Sequence, residues 1–183
     1  MGILVTEFDS LFVLEPNVYE DSRGYFFESF NQKTFQTQTS IDAHFVQDNQ
    51  SMSKYGTLRG LHYQTGEAAQ AKLVRVISGT VLDVVVDLRL NSATFKKSYS
   101  IELSAENKRQ LFVPRGFAHG FIVLSESAEF LYKCDNYYNP QAEGGLLYSD
   151  HDLNIDWKVP VDQIIVSDKD KKHPTLKQYL KGL

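Results

Sequence analysis

Cysteine is almost absent from this chain of 183 residues. Cys134 stands alone, so no internal disulfide can form, and the chain reads as a protein of a reducing compartment, the cytoplasm. An excess of basic charge is missing as well. Nineteen Lys and Arg against 23 Asp and Glu leave a net charge of −4, which argues against a nucleic-acid binder. It leaves room for a small anionic ligand, which needs only a locally basic pocket. No apolar run approaches the ~20 residues that span a bilayer, so no membrane partner is expected. The start, "MGILVTEFDS", has neither the basic region nor the long apolar stretch of a signal peptide. Proline is sparse, and no repeat, linker or low-complexity tract breaks the chain, so residues 1–183 are expected to fold as one domain.

What the chain has instead is aromatic residues, at 13%, and short apolar runs separated by turn signals. In "AKLVRVISGTVLDVVVDLRL" two β-branched runs meet at Ser78-Gly79, which reads as a hairpin. "SYSIELSAEN" alternates over Tyr99, Ile101 and Leu103. "RQLFVPRGFAHGFIVLS" reads as a strand pair around a Pro-Gly turn, and "EFLYKCDNYYN" closes the series. Strands recurring at this spacing predict an all-β sandwich or barrel with a few short helices. The helices are expected near "NQKTFQTQ", capped by Asn31, and in the tail "HPTLKQYL", with Pro174 in the first turn.

A barrel interior is either filled by side chains or holds a ligand, and polar residues on the inner faces separate the two cases. Lys72 shares a face with Val74 and Val76, and Asp83 with Val81 and Val85. Burying such a charge without a partner is costly. Arg59, His62, Lys72, Asp83, His119 and Tyr132 all interrupt apolar strands, and their number favours a polar site inside the barrel. "VPRGFAHGF" carries the P-x-G-x-x-H spacing of the second cupin motif, ending on His119. The corresponding first motif reads His62-Tyr63-Gln64 and lacks its second histidine. A divalent metal wants three or four such ligands, so no metal is expected there.

"LRGLHYQ" holds Arg59 and His62, which point to opposite faces of a regular strand because their separation is odd. Gly60 between them offers a bulge or bend that turns both inward.

Several segments occur in order: "DSRGYFFESFN", "FVQDNQSMSKYGTLRGLHYQ", "AQAKLVRVISGTVLDVVVDLR", "SAENKRQLFVPRGFAHGFIVLSESAEFLYKCDNYYNPQAEGG" and "DLNIDW". Together they closely resemble the dTDP-4-dehydrorhamnose 3,5-epimerase family, from about Phe12 to Asp170. The resemblance implies a cupin-like double-stranded β-helix, a jelly-roll barrel, assembled as a homodimer and working without a cofactor. It implies inversion of the two carbons flanking the ketone of a dTDP-linked 4-keto-6-deoxyglucose, on the route to dTDP-L-rhamnose. A relative that inverts only carbon 3 or only carbon 5 would carry the same residues.

By that resemblance His62 is the base, oriented by Asp170, with Asp168 as the alternative. Tyr132 is the acid on the opposite face, and Lys72 faces the enolate oxygen. Arg23, Arg59 and Lys169 correspond to phosphate-binding positions. Glu28, Gln47, Asp48, Asn49 and Glu143 correspond to polar positions around the nucleotide and sugar. Tyr138 and Phe26 are candidate stacking surfaces for the base, and Asp83 and His119 supporting polar residues. The N-terminal strand bearing Arg23, Phe26 and Glu28 is expected to cross to the neighbouring subunit.

Overall fold

The structure is a computed structural model, and it describes residues 1–182. Along the chain run β1 (Gly2–Val5), β2 (Phe12–Glu15), β3 (Tyr19–Asp21), β4 (Gly24–Phe26), α1 (Gln32–Thr39), β5 (Gln47–Lys54) and β6 (Thr57–Gln64). There follow β7 (Lys72–Ser78), β8 (Thr80–Asp87), β9 (Ser98–Ser104), β10 (Gln110–Val113), β11 (Phe117–Val123) and β12 (Ser127–Cys134). The chain ends in β13 (Glu143–Gly145), β14 (Ile165–Val166), a 3₁₀ turn over Asp170–Lys172 and α2 (Leu176–Lys181). No helix among the described residues is long and apolar enough to cross a membrane.

Two sheets face each other in a jelly roll. One has the order β1-β2-β10-β7-β12-β5, the other β13-β6-β11-β8-β9 with β14 beside β6. From β5 to β8, and again from β9 to β13, successive strands alternate between the sheets, which corrects two expectations. β7 and β8 do not pair across Ser78-Gly79, and β10 and β11 do not pair across the Pro-Gly turn. Each turn carries the chain from one sheet to the other. A tight-turn signal is the same in both cases, because it reports the change of direction and not the partner.

The alternation read in the strands does decide their faces. Val74, Val76, Val81, Val85 and Leu103 join Leu11, Phe117 and Phe130 in the cluster between the sheets. The other face of β8, with Leu82, Val84 and Val86, packs under Trp157, Val159 and Leu176 of the C-terminal segment. β8 is therefore buried on both sides, which is why it reads as a continuous apolar run. The outer face of the first sheet is covered by α1 through Phe35, which packs edge-on to Phe112 at 5.0 Å.

Asn31 caps α1, its side chain accepting from the Thr34 N–H. In the tail the cap is Thr175 with Gln178 in a capping box, so Pro174 lies before the helix rather than in its first turn.

The irregularity expected at Gly60 is present. β11 pairs with β6 through His119–His62 and then Phe121–Arg59, so two residues on β6, Gly60 and Leu61, stand against one on β11, Gly120. The extra residue puts Arg59 and His62 on one side of the sheet. Gly60 has φ of +126°, and a Cβ there would meet the Gly120 Cα at 2.6 Å and the His119 carbonyl oxygen at 2.8 Å. Only glycine fits.

Candidate active site

Two adjoining cavities, of about 320 and 570 Å³, open between the sheets and share His62, Lys72 and Tyr132. His62 comes from β6 in one sheet, while Lys72 on β7 and Tyr132 on β12 come from the other. The smaller cavity also takes in Gln47, Asn49, Tyr138 and Glu143, and the larger Arg59, His119, Lys169 and Asp170.

The His62 Nε2–H donates to Asp170 Oδ1 at 2.8 Å. Asp170 is held in turn: Oδ2 accepts from the Gly60 N–H at 3.2 Å, and the Asp170 N–H donates to Ser167 Oγ at 3.1 Å. Asp168 is exposed and reaches only Lys171, so the carboxylate at the histidine is Asp170. Burial pushes the His62 imidazole below its ordinary pKa of 6.5, partly offset by the Asp170 hydrogen bond and charge. Burial raises Asp170, but the hydrogen bond and charge of His62 outweigh it and hold the carboxyl below its ordinary range. With Nε2–H committed to Asp170, the lone pair of a neutral His62 ring lies on Nδ1.

Burial raises the Tyr132 phenol, which keeps it protonated at neutral pH. Burial also lowers the Lys72 ammonium, against the pull of Cys134, Asp83 and Glu143. Lys72 Nζ stands 5.9 Å from the Tyr132 ring centroid. His119 donates through Nε2 to both oxygens of Asp83, at 2.9 and 3.1 Å, deep in the same wall. Asp83 is fully buried behind His119 and does not line the cavity.

At the mouth, Glu143 Oε2 accepts from Lys169 Nζ at 2.5 Å and from the Tyr138 hydroxyl at 2.8 Å. Arg59, exposed on the larger cavity, donates from Nε to Ser53 Oγ at 3.0 Å. Gln47 and Asn49 point inward from β5, linked to each other at 3.0 Å. Asp48 does not. It lies between them on the alternate face, exposed and paired with Lys133 at 3.0 Å, outside both cavities of the single chain.

Arg23, Phe26 and Glu28 lie outside this site in the single chain. Arg23 and Phe26 sit on the exposed β3–β4 hairpin, where Arg23 pairs with Asp21, and Glu28 accepts from the Asn31 side chain at 3.0 Å. Residues missed in the sequence include Gln64, Cys134 and His173. The Gln64 amide fixes the 137–139 loop beside Tyr138, and Asn49 Nδ2 donates to the buried Cys134 Sγ at 3.7 Å. His173 follows Asp170 by three residues across one 3₁₀ turn, a spacing that brings both to one side and could have flagged it.

The family profile described as dTDP-4-dehydrorhamnose 3,5-epimerase matches residues 5–178. The enzyme of that name from Shigella flexneri is 52% identical over 170 residues, covering 93% of each chain. The crystal structure of the Elizabethkingia anophelis enzyme of the same name superposes with a TM-score of 0.94 at 56% identity, covering 97% of both chains. A Legionella pneumophila dTDP-6-deoxy-D-glucose-3,5-epimerase, in complex with dTDP-4-keto-L-rhamnose, has a TM-score of 0.92 at 48% identity, covering 96% of this chain and 93% of its own. The chain belongs to the dTDP-4-dehydrorhamnose 3,5-epimerase family.

Proposed function

We propose that this protein is a 3,5-epimerase converting dTDP-4-dehydro-6-deoxy-D-glucose to dTDP-4-dehydro-L-rhamnose, in dTDP-L-rhamnose biosynthesis. One observation carries the reading: a carboxylate-oriented histidine and a protonated phenol enter one cavity from opposite sheets, with a lysine on the strand next to the phenol's. An epimerase needs this arrangement, a base on one face of the sugar and an acid on the other.

His62 Nδ1 takes the proton from the carbon beside the ketone, and the C–H electron pair moves to the carbonyl oxygen. Asp170 stabilises the imidazolium that forms. Lys72 donates to the enolate oxygen. The Tyr132 hydroxyl then protonates the carbon from the opposite side, and solvent restores the phenol. The same groups serve the second carbon after the sugar re-presents its other flank.

Arg59 and Lys169 at the mouth hold the diphosphate, with Gln47, Asn49, Tyr138 and Glu143 around the nucleotide and sugar; a guanidinium fork suits phosphate oxygens. The bound product of the Legionella relative supports this substrate class. The exposed β3–β4 hairpin, which lines neither cavity of its own chain, completes the site of a second subunit in a homodimer, supplying Arg23 and Phe26, with Glu28 just after it.

Incubation with the 4-keto sugar nucleotide in deuterated water tests the proposal. Deuterium is expected at both flanking carbons. Incorporation at one alone would make the protein a mono-epimerase, and none would make it a binding protein.

A further inference from the structure

His173 has no role in the reaction described above, yet it completes a cluster around the base. A ring nitrogen of His62, a carboxylate oxygen of Asp170 and a ring nitrogen of His173 all lie within 4.8 Å of one another. His173 Nε2 is buried without a hydrogen-bond partner and stands 3.5 Å from Asp170 Oδ1. A buried imidazole nitrogen with nothing to bind is uncommon. The ring is not free to turn away. It packs on the backbone at Gly145, where a Cβ would fall 2.5 Å from three of its ring atoms, and it meets the His62 ring edge-on at 5.5 Å.

We infer that His62, Asp170 and His173 form an inhibitory site for a divalent cation of the zinc class. Two imidazoles and a carboxylate are a ligand set that Zn²⁺ accepts, with a water in the fourth position. Bonds of about 2.0–2.2 Å in a tetrahedron set ligand atoms roughly 3.3 Å apart. The pairs at 2.8 Å and 3.5 Å bracket that value, and the third pair lies within 4.8 Å. His62 and Asp170 line the larger cavity, so the cation enters by the route the substrate uses.

Inhibition follows from the tautomer. In the resting ring Nε2 carries the hydrogen given to Asp170 and Nδ1 the lone pair. A metal takes a lone pair on Nε2, and the proton moves to Nδ1. The nitrogen that should accept the substrate's proton then has none to accept it with. This inhibition rests on the reading of His62 as the base, whereas the binding does not. The site also differs from a resident metal centre, since catalysis as described needs no ion.

The test titrates metal-free protein with Zn²⁺ against a chromophoric chelator and follows deuterium exchange into the sugar in parallel. The wild type should bind one Zn²⁺ per chain at this site, stop exchanging, and recover on adding excess chelator. His173→Asn should keep its metal-free exchange while its zinc affinity, and the zinc needed to inhibit, change by at least about tenfold. His173→Gln serves if the Asn variant fails to fold, and His151→Asn, at an exposed histidine, should behave as the wild type. Equal zinc binding by wild type and both His173 variants would overturn the site. Zinc bound through His173 with exchange undiminished would leave the site standing and overturn His62 as the base.

Discussion

Two histidine–aspartate pairs face each other across adjacent strands, and they do different work. His62 and His119 are register partners on β6 and β11, and each donates through Nε2 to a carboxylate at 2.8–3.1 Å. The chemistry of the contact is nearly the same. The surroundings are not. The His62 side chain is 30% exposed to the cavity, and its aspartate arrives from a turn 108 residues downstream. The His119 side chain is 7% exposed, and Asp83 is a diagonal neighbour on the next strand, 0% exposed. A base needs a free nitrogen where substrate can reach it; both rings border the larger cavity, and His62 is the more exposed of the two. His119 and Asp83 satisfy each other and stiffen the wall.

Substitution should separate the pairs. The largest expected effect is His62→Ala, with kcat lowered by about 10²–10⁴-fold and the fold retained, measured by turnover and circular dichroism. Asp170→Asn should lower kcat by about 100-fold or more, because the ring loses the partner that sets its tautomer. At the other pair the loss should appear in stability. His119→Ala leaves Asp83 buried and unpaired, and denaturant titration should show about 3–5 kcal/mol of destabilisation. If His119→Ala instead cost as much in kcat as His62→Ala while remaining stable, the division of labour would be wrong.

Tyr132→Phe sharpens the comparison from the opposite sheet. Proton abstraction should survive while inversion fails, so deuterium should enter the recovered substrate faster than product forms. The smallest effect is on pH. His62 must be neutral to act, and burial holds its pKa below 6.5, so kcat/KM should fall only as pH drops below that value. Asp170 raises the His62 pKa. Its removal by Asp170→Asn should therefore move the acid limb to still lower pH, even as the rate falls.

Much of this was legible in the sequence, for physical reasons. Period-two alternation placed Val74, Val76, Val81 and Val85 on an inner face, because one-residue slips would bury the wrong side. The odd spacing of Arg59 and His62 around Gly60 required an irregularity, and the bulge is there. Strand partners were not legible, since Ser78-Gly79 looks alike whether it joins neighbours or crosses between sheets. The same alternation turns Asp48 to the face opposite Gln47 and Asn49, which the family's pattern does not convey. Asp170 was found only through the family's pattern. Nothing local in a charged run says that one carboxylate folds back onto a strand 108 residues earlier.

Solvent deuterium exchange in His62→Ala beside His119→Asn, each first shown to be folded, tests the central claim most directly. The account predicts no deuterium in the sugar with His62→Ala and incorporation at both carbons flanking the ketone with His119→Asn. Exchange by His62→Ala at the wild-type rate would contradict it.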